Sequence, residues 1–281
     1  MNKNIVHQSS LISLLAALLT LATGCASTQN VYVTSGSNPE ANVFRYTPGG
    51  AQSFITSGMN YPLGMAVDHA GNLYVANTAL NAGESGNITK ITPRGAKSIF
   101  ASGIDPQQIT FNRNGDLFET DYRTGNINKF TPDGTQSIFA TGFSLPLSLT
   151  FDSAGDLFVS AGWGPGNGYL TKITPDGAQK TFATGLTFPT GLAFDRAGNL
   201  FVSEQSTGIV YKFTPDGSRS TFTTLPETDL DGLAFDNAGN LFAAGGHSGE
   251  VIKIAPDGTR KIFASGLIFA NGVAFTSASH W

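Results

Sequence analysis

A repeat runs through this chain, and its period leaves few architectures open. Two signatures alternate. Thr-Pro-x-Gly begins at Thr47, Thr92, Thr131, Thr174 and Thr214, and Ala255-Pro256-Asp257-Gly258 is its sixth copy. Gly-Asn/Asp-Leu-aromatic begins at Gly71, Gly115, Gly155, Gly198 and Gly239, with Gln29-Asn30-Val31-Tyr32 as a truncated first copy. Successive starts lie about 39 to 45 residues apart, the period of a four-stranded propeller blade.

Each unit reads as four short strands. In the fourth copy these are Gly191–Asp195 (a), Asn199–Ser203 (b), Ile209–Thr214 (c) and Ser220–Thr223 (d), rich in Phe, Val, Ile and Thr and bounded by Gly or Pro. In Thr-Pro-Asp-Gly the proline presets φ at the first turn position, and the glycine supplies the positive φ that sends the chain back antiparallel. Strands c and d occur six times. Strand b does so if Asn30–Ser35 is included, and strand a if Gly272–Thr276 is included. The repeat region therefore starts on a strand b and ends on a strand a of one blade. The expectation is an all-β, six-bladed propeller of four-stranded antiparallel blades over residues 31–281. Pairing of its N-terminal and C-terminal strands closes the ring and removes the exposed edge.

Aromatic residues follow the same period. Strand a carries Phe111, Phe151, Phe194, Phe235 and Phe275; strand b carries Tyr32, Tyr74, Phe118, Phe158, Phe201 and Phe242; strand d carries Phe54, Phe100, Phe139, Phe182, Phe222 and Phe263. Aromatics locked to a repeat belong between the blades. A basic residue is locked to strand c at Arg45, Lys90, Lys129, Lys172, Lys212 and Lys253, and reads as a solvated charge on an apolar stem.

Ahead of the repeats, Lys3 and His7 precede an apolar run from Leu11 to Ala22, too short to span a bilayer comfortably but suited to a secretion signal over 1–24. The run ends in Leu21-Ala22-Thr23-Gly24-Cys25, which resembles a bacterial lipobox. That resemblance implies cleavage before Cys25, its lipidation, and a tether over 25–30 that anchors the protein in the cell envelope. With Ala26 after the cysteine it also implies the outer membrane or periplasm of a Gram-negative cell. A plain secretory signal cut near Ala26 is the alternative.

The formal net charge is −4, which gives no broad attraction for phosphate backbones and excludes nucleic acid as an expected partner. A single Cys excludes an intrachain disulfide. A monomer is expected.

In such a ring the a–b and c–d turns lie on one face, and the b–c and d–a connections on the other. The first set is nearly uniform here, whereas the second varies from blade to blade. Loops that differ on one scaffold are where a specific site is built. The candidates on that variable face are Asp105, Gln107, Asp121, Tyr122, Arg123, Trp163, Glu204, Asp231, His247 and Asn271. Gln107, Asp121, Tyr122, Arg123 and Trp163 are candidate ligand contacts. An indole on the Gly162-Trp163-Gly164-Pro165-Gly166 loop can stack on a sugar or another flat ligand. The partner so expected is an envelope protein, a glycan or a small polar ligand.

Pro189-Thr190-Gly191-Leu192-Ala193-Phe194-Asp195 with Gly198-Asn199-Leu200-Phe201-Val202-Ser203-Glu204 resembles the NHL repeat. Residues 31–281 as a whole resemble the six-bladed group containing NHL proteins, the gluconolactonase and senescence-marker-protein family, and streptogramin B lyases. NHL likeness implies a binding platform. Lactonase likeness implies a metal-dependent lactone or ester hydrolase with a divalent cation, commonly Ca2+, at the tunnel mouth. The matching slots here hold Leu63, Gln107, Leu147, Thr190, Asp231 and Asn271, which makes Asp231 and Asn271 the candidate metal ligands, with Glu204 or His247 for acid–base work.

Overall fold

The computed structural model describes residues 27–36, 41–79, 85–226 and 229–276; the expected signal peptide and Cys25 lie outside them. Among the described residues there are 24 strands in six four-stranded antiparallel sheets, and no helix. Blade 1 consists of β1 (Val31–Ser35), β2 (Ala41–Tyr46), β3 (Gln52–Met59) and, at its inner edge, β24 (Ala270–Phe275). Blade 2 is β4 (Pro62–Val67), β5 (Leu73–Asn77), β6 (Gly86–Ile91) and β7 (Lys97–Ile104). Blade 3 is β8 (Pro106–Phe111), β9 (Leu117–Asp121), β10 (Asn126–Phe130) and β11 (Gln136–Ala140). Blade 4 is β12 (Pro146–Phe151), β13 (Leu157–Ala161), β14 (Gly168–Ile173) and β15 (Gln179–Leu186). Blade 5 is β16 (Pro189–Phe194), β17 (Leu200–Glu204), β18 (Ile209–Phe213) and β19 (Arg219–Thr224). Blade 6 is β20 (Leu230–Phe235), β21 (Leu241–Gly245), β22 (Glu250–Ile254) and β23 (Arg260–Ala264). The six-bladed propeller is thus present. Closure is present too: Val31 pairs Phe275, Tyr32 pairs Ala274 and Val33 pairs Val273.

Inner strands begin two residues earlier than the sequence suggests, at Pro189 rather than Gly191 in blade 5. The first residue of a strand tolerates proline, which has no N–H to place in the ladder. Behind it the register skips, between Pro189 and Leu192 in this blade and at the same point in the other five. Such a bulge leaves a backbone N–H off the ladder. In four blades a strand b hydroxyl accepts it: Gly272 N–H donates to Thr34 Oγ1 at 2.7 Å, Gln108 to Thr120 at 3.0 Å, Ser148 to Ser160 at 3.1 Å and Gly191 to Ser203 at 2.8 Å. Small residues also let neighbouring inner strands touch here. A Cβ at Gly272 would lie 2.1 Å from the Leu63 carbonyl oxygen of the next blade.

Between blades the aromatics form a repeated clasp. The strand b ring of one blade meets the strand d ring of its own blade and the strand a ring of the next, edge to face. Phe201 is 4.9 Å from Phe222 and 5.0 Å from Phe235, and Tyr74, Phe118, Phe158 and Phe242 make the same pair of contacts at 5.0 to 5.1 Å. Edge-to-face pairs contribute about 0.5–1.5 kcal/mol each beyond their buried area. The clasp between blades 1 and 2 is different. It consists of Tyr32, Ile55 and Val67, so Phe54 does not sit in the layer expected of it. Phe54 pairs with Phe44, the position where blade 2 pairs Ile99 with Thr89, and it is 59% exposed. One residue of register moves a strand side chain to the opposite face.

The repeat-locked lysines also differ from expectation. Lys90, Lys129, Lys172, Lys212 and Lys253 each place Nζ 5.2 to 5.8 Å from the centre of the strand b ring of their own blade. Lys129, Lys172 and Lys253 also pair with carboxylates around the a–b turn, with Asp116 at 2.9 Å, Asp156 at 2.6 Å and Asp236 at 3.5 Å respectively. They cap the clasps from the uniform side.

The chain enters the ring on that same side. Gln29 Nε2 donates to the Thr276 carbonyl at 2.6 Å, its Oε1 accepts the Asn237 N–H at 2.6 Å, and Asn237 Nδ2 donates to Thr28 Oγ1 at 3.0 Å. Asn237 belongs to the a–b turn of blade 6, so residues 28 and 29 are pinned to the uniform face.

Phe201→Ala empties the centre of one clasp and is expected to cost about 3–5 kcal/mol. Phe54→Ala, at an exposed position, should change stability by less than about 1 kcal/mol. Urea unfolding of the two variants checks the contrast.

Candidate functional site

On the variable face, the second residues of the inner strands, Leu63, Gln107, Leu147, Thr190, Asp231 and Asn271, surround the tunnel mouth. The residues just before those strands, Tyr61, Asp105, Leu145, Phe188, Asp229 and Phe269, form the rim above them. Tyr61, Leu145 and Phe269 have φ of 45°, 53° and 53°. Left-handed backbone at a bulky residue costs roughly 1–3 kcal/mol and concentrates at ligand clamps and switch regions.

Half of the rim is one continuous arc of contacts across blades 4, 5, 6 and 1. Trp163 is 65% exposed and lies 5.8 Å from Phe188 with its plane tilted by 38°. The Phe188 carbonyl accepts the Gln205 N–H at 3.0 Å, and Gln205 Nε2 donates to Asp231 Oδ1 at 2.7 Å. The carboxylates of Asp231 and Asp229 flank Gly246, whose missing Cβ would be 2.8 Å from both. Asp229 Oδ2 pairs with His247 Nδ1, and the imidazole meets the Phe269 ring edge-on at 4.6 Å. Protein surrounds Asp231, which keeps only a strip of solvent-facing surface. Burial, and after it the Asp229 charge, push its carboxyl up to about 8 against the pull of the Gln205 hydrogen bond.

The other candidates divide between this arc and loop scaffolding. Trp163, Asp231 and His247 are brought together along the arc. Asn271 follows Ala270, whose N–H donates to the Gly246 carbonyl at 3.1 Å, but its Nδ2 faces away, toward the carbonyls of Pro62 at 3.1 Å and Gly36 at 3.4 Å. Glu204 is buried and its carboxylate accepts the Thr187 N–H at 2.9 Å, so it holds the loop before blade 5. Asp121 is buried and accepts the N–H groups of Arg123 and Thr124 at 3.1 and 3.0 Å, closing the b–c turn of blade 3. Tyr122 N–H donates to the Asp105 carbonyl at 3.0 Å, Gln107 Nε2 donates to Thr78 Oγ1 at 3.2 Å, and Asp105 Oδ1 accepts the Ala79 N–H at 3.0 Å. This second cluster lies on blades 2 and 3, apart from the arc.

Asp229, Gln205, Phe188 and Glu119 escape the sequence reading. Glu119 stands in the strand b column that holds Val33, Val75, Val159, Val202 and Ala243 elsewhere, and faces Asn128 across the sheet. It is fully buried. Asn128 Nδ2 donates to its Oε2 at 2.8 Å, while Oε1 has no partner among the described residues. Burial above all, with the charges of Asp121 and Asp105 behind it, pushes its carboxyl from the usual 4.5 to about 8.

The cation implied by lactonase likeness does not fit these residues. Calcium takes six to eight oxygens with several carboxylates. Here Asn271 aims its amide nitrogen at backbone carbonyls, and Glu204 is committed to a loop. Among the described residues no three His, Cys, Asp or Glu side chains form a group that could hold a metal ion.

With this geometry in view, comparison with known proteins becomes informative. Residues 148–265 match the sequence model of the SMP-30/Gluconolactonase/LRE-like region. They cover blades 4 to 6. The sequence has no match among curated proteins. A solved chain of a nidogen/laminin complex superposes with a TM-score of 0.76 at 16% identity, covering 89% of this chain and 98% of that one. A putative gluconolactonase gives 0.66 at 18%, covering 78% and 82%. Virginiamycin B lyase from Staphylococcus aureus gives 0.60 at 17%, covering 76% and 77%. At these identities the likeness is one of fold.

Glu119 and Asp231 also set a pH dependence. Between roughly pH 5 and 8 the folded chain holds protons on these groups that the unfolded chain has released. Stability therefore falls as pH rises through this window, by up to about 1.4 kcal/mol per pH unit per group. Glu119→Gln should remove about half of that slope, measured by urea unfolding at pH 5, 6.5 and 8; an unchanged slope contradicts a protonated Glu119.

Proposed function

We propose that this protein is a ligand-binding propeller that recognises a glycan or another small polar ligand on its variable face, and that acylated Cys25 holds it in the cell envelope through the tether over 25–30. The exposed Trp163 beside Phe188 carries the reading. A pair of aromatic rings left open to water gains by being covered, and the C–H face of a sugar supplies such a cover. Gln205, Asp231, Asp229 and His247 follow it along the same arc and offer the hydrogen bonds that fix a polar ligand's orientation. The NHL likeness of the repeats, and the fold shared with a chain solved in a nidogen/laminin complex, support a binding role.

Trp163→Ala should weaken binding at least tenfold to whichever ligand a panel of glycans, peptides and envelope proteins identifies, with the melting temperature unchanged. A blank panel, or a variant that binds like wild type, overturns the reading. Loss of membrane association in Cys25→Ser tests the anchor separately.

The second reading is metal-dependent lactone hydrolysis at the same mouth. Its support is the family match over blades 4 to 6 alone, since the side chains at the mouth do not make a donor set suited to a metal cation. On this reading millimolar Ca2+, Mg2+, Mn2+ or Zn2+ raises the melting temperature of the wild type, and less so that of Asp231→Asn. No rise with any of the four removes it.

A further inference from the structure

Charge is sorted between the two faces of the ring. Of the 16 lysines and arginines, Lys3 lies outside the described residues and Arg123 stands on the variable face; all the others are on strand c, at the start of strand d or in the uniform turns. The carboxylates of Asp105, Asp121, Glu204, Asp229, Asp231 and Glu250 lie at or just beneath the variable face, with only Arg123 and His247 against them among the described residues. A ligand approaching this face therefore meets a negative potential.

Within that field one gap is shaped for a positive charge. The missing Cβ of Gly246 leaves a space bounded by Asp229 Oδ2 and Asp231 Oδ2, each 2.8 Å from where that atom would be, and by the Asp229 carbonyl oxygen at 3.1 Å. The Asp231 side chain is enclosed by protein. Its Oδ1 accepts the Gln205 amide, whereas its Oδ2, the atom aimed into the gap, accepts no hydrogen bond among the described residues. Two carboxylates converging on one point repel, and the Asp229 charge is one of the causes that raise the Asp231 carboxyl. A cation in the gap exchanges that repulsion for charge-assisted hydrogen bonds. Three oxygens are too few for calcium but match the three N–H donors of a primary ammonium. The exposed Trp163 and its neighbour Phe188 lie further along the same arc and supply the apolar cover for a ring. Building on the reading of this arc as a glycan site, we propose that its ligand is an amino sugar, an oligosaccharide whose rings lie over Trp163 and Phe188 and whose primary ammonium enters the gap at Gly246 between Asp229 and Asp231.

Calorimetric titration with a β-linked glucosamine tetrasaccharide and with its fully N-acetylated counterpart, which has the same rings but neutral nitrogens, separates the amine from the ring. The free-amine oligomer should bind the wild type at least tenfold tighter, and added salt should shrink that advantage. Asp231→Asn, which keeps the side chain's shape, and Gly246→Ala, which puts a methyl group into the gap, should each erase the advantage and leave the N-acetylated oligomer unaffected. Trp163→Ala should weaken both oligomers alike. Equal affinity of the wild type for the two, or an advantage that survives both Asp231→Asn and Gly246→Ala, overturns the assignment and leaves the glycan reading standing. Tighter binding of a lysine-rich peptide of equal charge overturns it in favour of a basic protein partner. Failure of both oligomers to bind overturns it as well, and the glycan reading falls with it only if the wider panel is also blank.

Discussion

Edge-to-face contact between aromatic rings of neighbouring blades is the interaction on which the molecule depends. A single four-stranded blade has two apolar faces and no partner of its own, so it is stable only when flanked. The strand b ring answers this by touching one ring within its blade and one in the next. Five blade junctions use the same three aromatic positions, and the sixth replaces two of them by Ile55 and Val67. Closure by the pairing of β1 with β24 flanks the first and last units too, so no blade face is left over.

The inner strands draw this ring in at a waist. At their third positions glycine, or a hydrogen-bonded Ser or Gln, brings adjacent backbones together, and hydroxyls of strand b take up the N–H groups that the bulge displaces. Above that waist the side chains differ between blades, with Leu63 and Leu147 beside Gln107, Thr190, Asp231 and Asn271. Below it each blade contributes one aliphatic residue, Met65, Ile109, Leu149, Leu192, Leu233 or Val273, beside polar Thr110 and Thr150. The contrast follows from which loops are free to vary: turns that set strand return are held by geometry, while the connections crossing the variable face carry no such constraint.

The fold was legible because one period governed turns, strand columns and aromatic spacing at once, and because the partial units at the two ends added up to a whole blade. The same regularity misplaces Phe54, since counting phenylalanines ignores a one-residue register that only the pairing with Phe44 reveals. Glu119 was readable in principle: five aliphatic residues and one glutamate share its column. The arc was only partly readable. Trp163, Asp231 and His247 stand out as departures from the repeat, but the side chains that join them, Phe188, Gln205 and Asp229, lie in loops of adjacent blades whose approach no local pattern encodes. Glu204 and Asp121 show the converse, since a carboxylate at the end of strand b looks chemical in sequence and is spent on holding a loop.

Thr28 and Gln29 are fastened to the a–b turn of blade 6, and this fixes more than the start of the first strand. Three residues of extended chain reach only about 10 Å, so whatever is attached at Cys25 is leashed to the underside of the ring. On a lipid-bearing Cys25, as proposed above, the aromatic arc would look outward, away from the bilayer, while the uniform face would lie toward the bilayer surface. One short stretch of backbone would then decide which rim meets the water and which meets the membrane.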